Sequence, residues 1–219
     1  MLRVNSAPPT RSRKTKDPCP ACALHKSLCI CAQMPRLNLR TYLTLVIHAK
    51  ELKRTTNTGR LAVRALVQSE ILVRGLEPLD LTANLKTGYR PLLFFPVEGA
   101  RELTPELVAE SPLPIQLIVP DGNWRQASKV AIRHPEIAHV ERVMISSRNT
   151  GSQHLRQEHT PEGMSTLQAI AQALRRTEDE AAYQALEDLY QAKLRATLKG
   201  RGAGPTSGAT FVRDDSVPL

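Results

Sequence analysis

An α/β fold with parallel strands is the class this 219-residue sequence predicts, on three observations. Short apolar runs alternate along the chain with segments of helical periodicity, as successive strand–helix units require. Two runs, PLLFFPV (91–97) and PIQLIVPDG (114–122), are continuously apolar and closed by Pro or Gly, which suits strands buried on both faces. Two amphipathic helical patterns then fill residues 165–198. The length allows one domain with a sizeable core, or a domain plus a small appendage.

Taken in order, residues 1–16 are basic, polar and carry Pro, Ser and Thr, so a disordered tail is expected. TYLTLVIHA (41–49) is β-branched and apolar and reads as the first strand. NTGRLAVRALVQ (57–68) sets Leu61, Ala65 and Leu66 at helical spacing behind Asn57 or Thr58 as N-cap. Strands at 91–97 and 114–122 follow. WRQASKVAIRH (124–134) reads as a helix, and HVERVMI (139–145) as a further strand. Ser165 and Gln168 form a capping box ahead of a helix whose Leu167, Ile170, Ala171 and Leu174 make one apolar face. Thr177 and Glu180 repeat the device before a long amphipathic helix. Residues 200–219 have the composition of a flexible tail, and no internal repeat is visible.

Lys and Arg outnumber Asp and Glu by 30 to 21, a net charge of +9. That surplus favours a polyanionic partner. Nucleic acid is preferred to a membrane, because no apolar run approaches the ~18 residues of a spanning helix. The N-terminal residues lack an apolar signal core, so a cytoplasmic location is expected.

Four short segments carry candidate chemistry. All four cysteines, Cys19, Cys22, Cys29 and Cys31, fall within CPACALHKSLCIC. In a reducing compartment such clustering reads as a metal site, and four thiolates suit a structural zinc with no open catalytic position. Redox-active thiols are the rival, but nothing strand-like precedes Cys19. TTNTG (55–59) gathers small polar residues at a helix start, fit either for an anion or for ordinary capping. His48 and Glu51 are too few for a metal and read as strand-end residues. Asp121 closes an apolar strand, Gly122 permits close approach, and Trp124, the only tryptophan, opens a helix. That carboxylate is placed either as a general base or as an N-cap. In parallel sheets ligands bind beyond the carboxyl ends of strands, which is where the Asp121–Trp124 turn falls. Finally, Arg156 precedes a Pro/Gly loop leading to Ser165 and Thr166, which shapes either a polar pocket or a capped helix.

Together and in this order, these segments resemble the DTW-domain family, the tRNA-uridine aminocarboxypropyltransferases. The resemblance runs from Cys19 to about Leu174, through the cysteines before MP, HAKE, TNTGRLA, LLFFP, the Asp-Gly-x-Trp turn with its Gln-Ala, and LRQEHTPEGMSTLQAIAQAL. Asn123 stands where the family has Thr, and HAKE lacks the family's Pro after His. The resemblance implies a SPOUT-like parallel sheet with a C-terminal trefoil knot, spanning residues 37–199, beside a zinc-binding segment at 17–36. It implies S-adenosylmethionine as co-substrate and tRNA as partner, with transfer of the 3-amino-3-carboxypropyl group to N3 of uridine. Asp121 is then the candidate base, with Trp124 walling the pocket. Loop backbone at Leu93, Phe94, Phe95, Pro96, Pro120, Gly122 and Asn123, with Ser165 and Thr166, would hold the co-substrate, and Arg156 would pair with its carboxylate. Two rivals remain: RNA methylation on the same fold, and a non-catalytic zinc-ribbon RNA-binding protein. Against the second, aromatic residues make up 4% of the chain, too few for stacking platforms.

Overall fold

The structure is a computed structural model that describes residues 16–52, 54–122, 124–146, 155 and 163–202, without the side chains of Trp124, Arg125 and Ala131. Among these residues six strands form one sheet: β1 (Tyr42–His48), β2 (Ser69–Arg74), β3 (Arg90–Phe94), β4 (Arg101–Glu102), β5 (Ile115–Asp121) and β6 (Glu141–Met144). Their order is β2-β1-β5-β3-β6-β4, and every pairing is parallel. The helices are α1 (Gly59–Ala65), α2 (Pro105–Ala109), α3 (Trp124–Ala127), α4 (Lys129–Arg133), α5 (Thr166–Thr177) and α6 (Glu180–Gly200).

The side-chain alternation of each strand divides the core. Leu43, Leu45 and Ile47 of β1, with Leu117 and Val119 of β5, face α1, α5 and α6. Val46 and Ile118 point the other way and pack with Val130 of α4, Leu81, Ile137 and Val140. Every residue of β5 is buried, as its mainly apolar run requires, including the polar Gln116 and Asp121. Pro120 lies beyond Ile118, where pairing with β3 has stopped, so its missing N–H falls past the doubly flanked part of the strand.

Several expectations are corrected in detail. The helix expected over 57–68 is shorter, because Leu66 turns extended and its neighbours pair with Leu37: Leu37 N donates to Ala65 O at 2.8 Å and Val67 N to Leu37 O at 2.9 Å. β2, β4 and α2 carried no expectation. β2 follows α1 with no Gly or Pro between them, so its apolar residues extend the helical run in sequence. The helix over 124–134 is two short helices meeting at Ser128. The Ser165–Gln168 capping box is present in both directions. The second box is not: Asp179, not Thr177, caps α6 and accepts from Ala182 N at 2.8 Å. Thr177 closes α5 instead, and its hydroxyl meets that of Thr41 at 3.0 Å.

The cysteine segment is docked on the sheet domain. Cys22, Leu24 and Ile30 belong to the same buried cluster as Leu186, Leu189 and Leu194 of α6. Lys193 of α6 is fully buried and donates from Nζ to the Cys22 carbonyl. Gly200 closes α6 and Arg201 donates to the Leu155 carbonyl at 2.7 Å. The expected tails, 1–16 and 200–219, lie outside the described residues except for Lys16 and residues 200–202. No helix among the described residues is long and apolar enough to cross a membrane.

Candidate functional site

The chain leaves β1 toward β2 on one side and leaves β5 toward β6 on the other, so a crevice opens at the carboxyl ends of β1 and β5. Ile47 and Asp121 are register partners there, both turned toward α1 and α5. Asp121 is 1% exposed. Its Oδ2 accepts from Asn57 Nδ2 and its Oδ1 from Thr166 Oγ, each at 2.6 Å. Charge-assisted bonds of that length are the strong kind.

The two donors are themselves fixed. Asn57 Oδ1 accepts from Arg60 N at 3.2 Å, so the side chain caps α1 and reaches the carboxylate at once. Thr58 Oγ accepts from Leu167 N at 3.2 Å, which ties the start of α1 to the start of α5. Gly59 lies directly against the carboxylate: a Cβ there would sit 2.8 Å from Asp121 Oδ2. Only a glycine lets α1 begin so close.

A pocket opens above this network, lined by Thr56, Thr58, Gly122, Leu155, Met164, Ser165 and Thr166. Four hydroxyl groups dominate this lining, and Leu155 and Met164 add little apolar surface, so it suits a polar group of a ligand. Asp121 is not in the lining. It lies beneath it, next to Gly122 and bonded to Thr166. Gly122 has its own constraint, since a Cβ would meet Gln126 at 3.0 Å.

Of the sequence-derived site residues, Asp121, Gly122, Ser165 and Thr166 come together here. Leu93 and Phe94 are buried near the end of β3, one strand away at the same sheet edge, with Phe95 and exposed Pro96 just beyond. Pro120 is buried in β5. Trp124 opens α3, and its side chain lies outside the described set, as do Asn123 and Arg156 entirely. Sequence reasoning placed Asn57 and Thr58 at a helix start but not against Asp121. Leu155 and Met164 carried no signal as pocket residues, since an isolated apolar side chain in a loop looks like any other.

The second constellation is the cysteine cluster. The four sulfurs lie within 4.8 Å of one another, with separations of 3.6, 3.7 and 3.8 Å between contacting pairs. A tetrahedron of sulfurs at ~2.3 Å from a central ion has edges of about 3.8 Å, so this arrangement can hold a metal ion. Ala23, at φ 59°, makes the tight turn after Cys22, and Cys19 N donates to Leu24 O at 2.7 Å. The backbone N–H groups of Cys22 and Ala21 hold the Cys19 thiol down at about 6. Burial and the neighbouring sulfurs push Cys31 up to about 12. A central cation reverses that mutual opposition.

Comparison with known proteins identifies the family of the chain. The sequence profile of the DTW domain matches residues 16–198. The chain is 26% identical over 176 residues to the tRNA-uridine aminocarboxypropyltransferase 2 of Macaca fascicularis, covering 76% of this chain and 58% of that one. It is 25% identical over 174 residues to the protein of the same name from Mus musculus, with the same coverage of each. The chain thus spans less than two thirds of the length of these curated relatives. No solved structure matches it.

Proposed function

The chain belongs to the DTW-domain family, and from that premise we propose that it is a tRNA-modifying transferase that moves the 3-amino-3-carboxypropyl group of S-adenosylmethionine to N3 of uridine. One observation carries the reading: the three segments TNTGRLA, the Asp-Gly-x-Trp turn and MSTLQA, far apart in sequence, meet at one buried carboxylate under one pocket. A scaffold that only bound RNA would not need that convergence.

S-adenosylmethionine would supply the electrophilic carbon next to its sulfonium. The hydroxyls of Thr56, Thr58, Ser165 and Thr166 support this, since they could hold the polar groups of an amino-acid arm beside Leu155 and Met164. The residues proposed to surround it further are Leu93–Pro96, Pro120, Gly122 and Asn123, with Arg156 pairing its carboxylate. The proposal also gives Trp124 the role of a pocket wall. Thr166 both lines the pocket and donates to Asp121, so it can take the N3 proton of uridine while passing its own to the carboxylate. The N3–C bond then forms as the C–S bond breaks, and methylthioadenosine leaves with the bonding pair. Selection of this carbon over the methyl carbon is a matter of positioning.

The proposal extends to a SPOUT-like fold with a C-terminal trefoil knot, to zinc in the Cys19, Cys22, Cys29 and Cys31 site, and to a cytoplasmic location. The decisive experiment incubates the protein with unmodified tRNA and adenosylmethionine labelled separately in the carboxyl and methyl carbons. Carboxyl label in the tRNA with methylthioadenosine as by-product supports the reading. Methyl label with S-adenosylhomocysteine makes the protein a methyltransferase, and no label makes it a binder.

A further inference from the structure

Across the sheet edge from the pocket, positive charge collects around Arg74, with no carboxylate paired to that guanidinium among the described residues. His48 and Arg74 end β1 and β2 and are register partners. Alternation turns both away from the Asp121 side, toward α3 and α4. Arg74 is only 6% exposed. Its Nη2 donates to the Gln126 carbonyl of α3, while its Nε is buried with no hydrogen-bond partner.

Around Arg74 the neighbouring charge is of the same sign, and only Glu51, acting on His48, opposes it. Arg133, exposed at the end of α4, lowers the proton affinity of Arg74 beyond the effect of burial. His48 is held below the ordinary histidine range first by burial, then by Arg74 and Lys50, with the Glu51 carboxylate opposing the shift and Arg133 adding to it, which favours the neutral ring that can offer an N–H. Lys50 is exposed, and its backbone N–H donates to His48 Nδ1 at 3.1 Å, which fixes the ring. The acidic residue nearest this group in sequence, Glu51, is buried and ion-paired to Arg54 at 3.0 Å. Gly75, at φ 88°, turns the chain away after Arg74, with the His48 ring 3.4 Å from where its Cβ would lie. A nearly buried guanidinium lacking an anion is rare, because desolvating it is costly. An anion that docks at this edge removes that cost.

We propose that Arg74, Arg133, Lys50 and His48 form a phosphate site that seats the RNA backbone beside the target uridine, on the opposite side of the crevice from the co-substrate pocket. This rests on the reading of tRNA as substrate. The co-substrate carboxylate is a poorer occupant, since the pocket hydroxyls of α1 and α5 lie on the other face of the sheet. A guanidinium fork and flanking ammonium and guanidinium groups match a phosphodiester bridging several donors. The exposed pair supplies long-range attraction, and Arg74 supplies a fixed hydrogen-bonding geometry.

The test compares wild type, Lys50→Gln/Arg133→Gln and Arg74→Gln for binding of unmodified tRNA transcript across a range of KCl concentrations. Adenosylmethionine affinity is measured alongside by calorimetry. The double variant, whose sites are exposed, should lose about tenfold in tRNA affinity, with a salt slope shallower by about one to two. Its adenosylmethionine affinity should stay within about twofold of wild type, as expected for groups outside the pocket. Unchanged tRNA affinity and slope in the double variant would overturn the site. Arg74→Gln that lowers stability yet keeps tRNA affinity makes Arg74 a brace for α3, which also overturns it. Wild-type protein that neither binds nor modifies tRNA fails the functional reading itself, a separate result from variants that fail to weaken binding.

Discussion

Gly59→Ala is the smallest change that reaches the Asp121 network. The added methyl group would lie 2.8 Å from Oδ2 and 3.1 Å from Cγ of Asp121, and 3.1 Å from Cδ1 of Leu45. Restoring ordinary contact at 3.4 Å requires 3.4 − 2.8, a shift of about 0.6 Å. Neither neighbour yields easily. Leu45 is fully buried, and Asp121 is held by two bonds of 2.6 Å. Overpacking of this kind costs about 1–3 kcal/mol. Weakening one hydrogen bond to a charged group costs a further ~1.5 kcal/mol. Alanine returns less than ~1 kcal/mol of helix propensity, because Gly59 is the first residue of α1. The net expectation is a loss of about 2–4 kcal/mol in urea unfolding. A displaced carboxylate should also slow turnover roughly tenfold, given the ~10²-fold cost of a 1 Å misplacement. Combining it with Asp121→Ala tests the cause, since removing the carboxylate removes the clash. Gly59→Ala should then cost about 1 kcal/mol less than in the wild-type background. A Gly59→Ala protein as stable and active as wild type, or strict additivity in the double variant, refutes the reasoning.

Three further outcomes are expected. Asp121→Asn should lower turnover by ~10²–10⁴-fold while adenosylmethionine still binds, as for loss of a general base; a drop below tenfold leaves Asp121 as an organiser of three loops only. The purified protein should contain about one zinc per chain, with Cys29→Ser releasing it; elemental analysis showing none, with four titratable thiols in the folded protein, removes the metal. Glu110, bonded to Arg101 and Arg90, is held down at about 2 from its ordinary 4.5. A depressed carboxyl contributes stability above its unfolded value and loses it as pH falls through the folded one. The urea midpoints of wild type and Glu110→Gln should therefore differ at neutral pH and converge between about pH 4.5 and 2, by a small amount since the pair is exposed. A gap independent of pH contradicts the ion pair.

The sequence was legible where one local rule decided the outcome. Ser165 and Gln168 specify a helix start through a reciprocal bond four residues long, and that start is observed. Apart from Gln116 and Asp121, the run from Ile115 to Asp121 is apolar because both its faces are covered, so it could be read as a buried strand. Elsewhere the decision was made by distant backbone. The end of α1 is set by Leu37, and the role of Thr177 by Thr41, partners 28 or more residues away that leave no local trace. The candidate site shows the same division. Asp121 and Thr166 stood out beside a turn and a cap, whereas Asn57 looked like an ordinary cap until the fold brought it to the carboxylate.

Lys193 offers the strongest link between the cysteine cluster and the sheet domain. It sits in mid-α6, fully buried, where a lysine is rarely found without a partner. Burial holds its ammonium down at about 8, and the cysteines oppose that shift. Four thiolates around a divalent ion would carry a net charge of −2, so a metal-loaded cluster would supply the counter-charge, while the Cys22 carbonyl accepts a hydrogen bond from the ammonium. Removing one partner of a buried pair costs ~3–5 kcal/mol, whereas an apolar replacement for an unpaired buried charge is neutral or stabilising. Lys193→Met should thus destabilise the metal-loaded protein by a few kcal/mol, toward the ~3 kcal/mol end because the thiolate charge is partly screened by the metal. With chelator present at a pH below about 6, where the Cys19 thiol is protonated too, the same substitution should be neutral or should raise the unfolding midpoint. The measurement is urea unfolding of both proteins with zinc and with chelator, four curves in all. A penalty of the same size in both conditions would mean that Lys193 answers only to the carbonyl, and that the cluster's charge has no hold on α6.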